Sequence, residues 1–192
     1  MLWGGISAKG LVPSSSPLFV DEVLAPWYRD GKPVKNVTRS IYSDMLKTLV
    51  HPAVMELYPR GDCLWQDNEA KIHRTEEVLS KVDELFKKRI PPKMASMTAD
   101  LYPIENLWSI LKDEVYKKKP IKDLPHLKRV LKNKWKKIDQ DKAILRRMMS
   151  TFPVQAMLEL DGAQVHKLDY SVPRGILSIS YSKGGQNEGE LH

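Results

Sequence analysis

Two acidic residues stand where an α/β protein places reactive groups. Asp67 follows Cys63-Leu64-Trp65-Gln66, a compact apolar run after the turn Pro59-Arg60-Gly61, and the run is short enough for a buried strand. The C-terminal ends of strands are where open α/β sheets hold their ligands. Glu105 lies in the first turn of a helix opened by Pro103, beside Ile104 at the edge of the apolar face. The 37 residues between the two acids suffice for one helix and a loop that returns the chain to the same end of the sheet. Carboxylates brought together repel unless a cation joins them. Magnesium takes hard oxygen ligands, keeps part of its water and needs only a few carboxylates. Two such ions about 3.5–4 Å apart can activate water and stabilise the leaving oxygen of a phosphodiester. Position alone favours a plainer reading, because Asp is common at strand ends and a Glu in a first helical turn satisfies the helix dipole.

A second chemistry-bearing group is basic. Lys128, Arg129, Lys132, Lys134, Lys136 and Lys137 crowd one segment. They suit contact with nucleic-acid phosphates, or equally a solvated face opposite Leu127, Leu131 and Trp135. Trp135 continues the apolar stripe and reads as core, and Arg146 and Arg147 extend the basic patch. His73 reads as a residue that hydrogen-bonds its own loop, with orientation of a site water as the sharper alternative. Cys63, the single cysteine, reads as a small core residue within its strand. The chain carries no Gly-rich phosphate loop, zinc-ligand cluster or Ser-His-Asp signature.

The elements that must position these residues follow from period and punctuation. Met1 to Ile6 reads as a strand ending in a Gly-containing turn, and Leu18 to Val20 as a second. Ile41, Met45, Leu46, Leu49 and Val50 recur at helical spacing between Thr38 and Tyr58, with Pro52 as an interruption. A helix starts at Thr75 with an acidic first turn and closes on Lys87, Lys88 and Arg89. Ile90 to Tyr102 reads as a loop. The Pro103 helix carries Ile104, Leu107, Trp108, Leu111 and Val115 on one face. Leu124 to Ile138 forms the next helix, with Leu124, Leu127, Leu131, Trp135 and Ile138 on its apolar side, and two more are expected around Ile144–Phe152 and Val154–Leu160. From about Tyr170 the chain turns Ser- and Gly-rich, and a loose tail is expected. This order predicts a mixed α/β sheet with helices packed on it.

The totals bound the class. With 192 residues the chain fits one domain plus ends and can bury a core without disulfide help. Its longest apolar run is three residues, against the roughly 20 that a membrane-spanning helix needs, so no membrane span is expected. The N-terminus lacks the basic and apolar regions of a signal peptide, which with the lone cysteine points to a reducing intracellular compartment. Lysine and arginine number 31 against 24 acids, a net charge of +7 that suits a polyanionic partner.

Three segments carry a resemblance. Met1-Leu2-Trp3-Gly4-Gly5-Ile6-Ser7 resembles the strand of mariner-type transposases that follows their first catalytic strand. Trp65-Gln66-Asp67-Asn68, with His73 following, resembles their second-aspartate motif, and Asp100-Leu101-Tyr102-Pro103-Ile104-Glu105-Asn106-Leu107-Trp108 their glutamate motif. The matches span Met1 to Trp108, and the helices from Leu124 to Gly162 fit the family's C-terminal part loosely. The sequence departs from the family pattern in lacking a proline after Asn68 and in having Tyr102 where Asn is usual. The resemblance implies a ribonuclease H-like mixed sheet flanked by helices, with the first strand missing. It divides the chain into residues 1–168, a partial DDE catalytic domain, and residues 169–192, a loose tail.

By the same resemblance Asp67 and Glu105 are the second and third members of an Asp-Asp-Glu set that holds Mg²⁺ or Mn²⁺ for cleavage and strand transfer of DNA. The first aspartate is expected upstream of Met1, as is the family's helix-turn-helix region, so the implied chain is inactive alone. Double-stranded DNA at transposon ends is the implied partner, the six residues from Lys128 to Lys137 its contacts, and the nucleus its location. A gap left by the absent strand implies marginal stability and a homodimer. The alternatives are a non-enzymatic DNA-binding protein derived from a transposase, and an unrelated enzyme using the two acids in general acid–base work beside an apolar pocket.

Overall fold

The computed structural model describes residues 1–68, 70–90, 102–117, 120–150 and 176–182. The architecture is mixed α/β, as the order of elements predicts. Strand β1 (Leu2–Ser7) is the sheet's longest N-terminal element. Along one edge it pairs antiparallel with β2 (Leu11–Val12) and β3 (Leu18–Phe19), in register Gly5↔Val12 and Leu2↔Phe19. Strand β6 (Leu64–Gln66) is the run that precedes Asp67. Outside the sheet, β4 (Tyr28–Arg29) and β5 (Lys32–Pro33) form a separate hairpin.

The centre of the sheet corrects the expectation of a loose tail. Residues Ile176–Ser182 form β7, antiparallel to β1 (Leu2↔Ser182 to Ser7↔Leu177) and parallel to β6 (Leu64↔Ile176, Gln66↔Ser178). The sheet therefore runs β2–β1–β7–β6, and the chain itself supplies the strand beside β1. A signal was there: Leu177-Ser178-Ile179-Ser180-Tyr181-Ser182 alternates apolar and polar, the period of a half-buried strand. The remainder of residues 169–192 and the Val154–Leu160 helix lie outside the described residues.

Helices cover both faces. Because side chains alternate along a strand, β1 sends Ile6 to one layer and Trp3 to the other. The first layer holds α5 (Pro103–Lys117), α6 (Leu124–Gln140) and α7 (Lys142–Ser150), packed through Ile104, Leu107, Trp108, Leu131, Trp135 and Leu145. The second holds α2 (Arg39–Met45), α3 (His51–Leu57) and α4 (Glu76–Leu85), packed through Tyr42, Met45, Val54, Trp65, Val78 and Val82. Between α2 and α3, Leu46–Val50 is a π-helical segment, so Pro52 does not break the helical path. The short α1 (Val20–Leu24) and the hairpin form a satellite cluster around Val20, Leu24 and Ile41.

Two details fix the layers. A Cβ at Gly4 would come within 2.3 Å of Trp135 Cη2, so only glycine lets α6 approach β1 this closely. Trp135 is fully buried, as its place in the stripe predicts, and its Nε1 donates to Pro13 O at 2.7 Å. Leu124, expected on the apolar face of α6, is instead 57% exposed, and Val130 takes up the buried role. No helix among the described residues is long and apolar enough to cross a membrane.

Candidate functional site

Asp67 is the first residue past β6 and continues the side of the strand that carries Trp65, facing the α2–α4 layer. Trp65 is fully buried and stacks on Phe86, with ring centroids 4.0 Å apart. Its Nε1 donates to Asp67 Oδ2 at 2.7 Å, and Tyr42 Oη, from α2, donates to Oδ1 at 3.4 Å. His73 arrives on a 3₁₀ turn (Lys71–Arg74), reached through an Asx turn in which Ala70 N donates to Asn68 Oδ1 at 3.2 Å. Its ring stacks on Tyr42 at 4.5 Å, and Nδ1 lies 3.8 Å from Asp67 Oδ1.

The electrostatics follow from burial. Desolvation pushes the Asp67 carboxyl up to about 7, against the lowering effects of Trp65, Tyr42 and the Arg89 charge. Burial pushes His73 down to about 4, so near neutral pH its ring is uncharged and the two groups form no ion pair. His73 thus packs on Tyr42 beside Asp67, and a backbone hydrogen bond at Asn68 keeps the tie to its own loop that its sequence position predicts.

Glu105 sits in the first turn of α5, as its sequence context predicts, with its backbone N–H on Tyr102 O at 3.0 Å. Its side chain is exposed, and its helix packs on the face of the sheet opposite the α2–α4 layer. The groups that contact or polarise Asp67 are Trp65, Tyr42, His73 and Arg89, and Glu105 is not among them. Each acid therefore occupies the expected element, Asp67 facing one helical layer and Glu105 on the other, and these layers cover opposite faces of the sheet. Among the described residues no three His, Cys, Asp or Glu side chains gather as a cation site. In this arrangement one Asp67 oxygen accepts from the Trp65 indole N–H and the other from Tyr42 Oη, so a Mg²⁺ or Mn²⁺ ion held there would have to share or displace those donors. A groove of about 300 Å³ opens elsewhere, against Pro13, Phe19, Leu49 and Lys132, and neither acid lines it.

The basic residues of α6 separate into two sets. Lys128 is only 16% exposed, ion-paired with Asp21 and with Glu22 at 2.8 Å, and its Nζ lies over the Phe19 ring. Lys134 pairs with Glu114 at 3.5 Å, and Lys132 approaches Phe19 at 5.3 Å. Arg129, Lys136 and Lys137 are exposed along one outward stripe and have no acidic partner among the described residues. Arg146 on α7 is exposed as well.

Sequence reasoning missed Tyr42 and Arg89 as neighbours of Asp67, and it missed the hairpin. Tyr42 lies one residue past Ile41 on a recognised helix, and nothing local says which strand it meets. The hairpin had a signal in Asp30-Gly31. Comparison of the chain with protein-family models, with curated proteins and with solved structures gave no match.

Proposed function

We propose that this is a transposase-derived protein of ribonuclease H-like ancestry that binds double-stranded DNA and does not cleave it on its own. The resemblance of the Trp65-Gln66-Asp67-Asn68 and Pro103–Trp108 segments to mariner-type motifs supports the ancestry. So does the position of Asp67 at a strand end and of Glu105 in a first helical turn. The observation that carries the binding reading is the outward stripe Arg129, Lys136 and Lys137, three cations on one helix with no acidic partner among the described residues. Phosphates supply that missing charge, and the released counterions make such binding weaken steeply with salt. Lys128 and Lys134 are spent on Asp21, Glu22 and Glu114 and contribute less. The engagement of Asp67 with Trp65 and Tyr42 favours the non-enzymatic form of this reading over the two-metal form.

Fluorescence anisotropy of a labelled 20-bp duplex, titrated at several KCl concentrations, tests the reading. Each lost phosphate contact lowers the slope of log K against log salt by about 0.9. R129A/K136A/K137A is expected to lower it by about 2.7 on that basis, while K134A leaves it nearly unchanged. Absence of duplex binding at 50 mM KCl would remove the proposal. Mn²⁺-dependent cleavage by the wild-type chain, lost in D67A, would overturn its non-enzymatic part.

A further inference from the structure

The chain makes a hairpin that the α6 reading leaves unused. Trp27-Tyr28-Arg29-Asp30-Gly31-Lys32-Pro33-Val34 folds back on itself in register Tyr28↔Pro33 and Arg29↔Lys32. Asp30 (φ 51°) and Gly31 (φ 71°) both take left-handed conformations, as a two-residue I′ turn requires and as Asp-Gly accommodates. The base is anchored: Val34 N donates to Trp27 O at 3.0 Å, and both side chains pack on the Val20, Leu24 and Ile41 cluster. The tip is free. Residues 28–33 are all exposed, Tyr28 at 64%, and a Cβ at Gly31 would meet nothing within 4 Å.

Arg29, Lys32 and Lys35 are exposed and lack acidic partners among the described residues. Three cations and the Asp30 carboxylate leave residues 29–35 at a net +2. Arg29 and Lys32 face each other across the strand pair, and like charges in that register destabilise a hairpin unless an anion lies against them. Lys128 bonds Asp21 and Glu22 of α1, so the hairpin's base is tied to the basic helix α6.

We propose that hairpin 28–33 is a second DNA-contacting arm, a two-stranded ribbon entering the groove of a duplex with Arg29, Lys32 and Lys35 on its phosphates. The major groove admits a ribbon of this width. The rigid base lowers the cost of ordering the arm on binding. An acidic protein would satisfy the same charges but would not require the ribbon shape. The inference rests on the duplex-DNA reading but uses residues separate from the α6 stripe, so the two can fail independently.

The test is the full chain with the labelled duplex across a KCl series, comparing wild type, R29A/K32A/K35A and R129A/K136A/K137A. The hairpin variant is expected to melt at the wild-type temperature and to lose about 2.7 from the salt slope, three contacts of about 0.9 each. R29K, which keeps the charge, is expected to retain the slope. Wild-type affinity and slope in the hairpin variant, with binding lost in the α6 variant, would overturn the arm and leave the α6 reading standing. The converse result supports the arm and removes the α6 reading, and no wild-type binding removes both. Polyglutamate binding as tight as duplex binding, and equally dependent on the three residues, would overturn the assignment to DNA.

Discussion

At the residue scale, Asp67 and His73 exchange the protonation states expected of them. The carboxyl rises to about 7 from its ordinary 3.8, so between those values the folded chain holds a proton that the unfolded chain has released. Taken alone, that makes stability fall as pH rises through this window and level off above about 7. His73 drops to about 4 from 6.5, so there the unfolded chain holds the extra proton and stability rises with pH. The slopes oppose each other, and near pH 5 the pair carries one proton whether folded or unfolded. Urea unfolding of the wild type is therefore expected to vary little between pH 4.5 and 6.5 on account of these groups. D67N should expose the histidine, with stability rising toward pH 6.5 by up to about 1.4 kcal/mol per pH unit. H73Q should expose the carboxyl, with a fall of similar size. Identical profiles in all three proteins would show that burial does not set these protonation states. Both residues stood out in the sequence. Their coupling did not, because it depends on which face of β6 meets α2, a choice made by packing.

At the element scale, legibility tracks how local the cause is. The spacing of Ile104, Leu107, Trp108 and Leu111 is a one-helix property, and α5 forms where it predicts. Pro52 shows where a local rule yields. A proline amide cannot close a helical bond and its ring crowds the carbonyl four residues back. The π segment Leu46–Val50, closed by His51 N–H on Leu46 O, widens the path just before it, and the helical course continues. Gly4 is opaque for the opposite reason, since its partner Trp135 lies 131 positions away and no pattern near Gly4 announces it. Gly4→Ala is expected to cost about 1–3 kcal/mol in a urea melt, as overpacking of a tight core does. A loss below about 0.5 kcal/mol would mean that α6 can retreat from β1 without penalty.

At the scale of the whole molecule, β7 joins two parts of the sheet that do not pair with each other, β1 on one side and β6 on the other. A proline in a central strand removes a ladder hydrogen bond. Ile179→Pro is therefore expected to strip hydrogen-exchange protection from the amides of Leu2–Ser7 and Leu64–Gln66 together, and to lower the urea midpoint. Protection in both strands equal to wild type would show that the helical layers hold them without β7. This pairing was the least legible part of the fold, despite the alternation in its sequence, because its partners are far away: Ser7 meets Leu177 and Leu2 meets Ser182, 170 to 180 positions apart. Such distant closure slows folding, since chain entropy is lost before contacts are gained. It also sets an order on the ribosome. Once β1 is made, some 170 further residues must follow before β7 is complete, roughly 9–34 s at 5–20 residues per second. Throughout that interval the nascent chain carries a bare strand edge that invites pairing with neighbours, and a ribosome that stops short of Ile176 would release a chain without the strand that covers it.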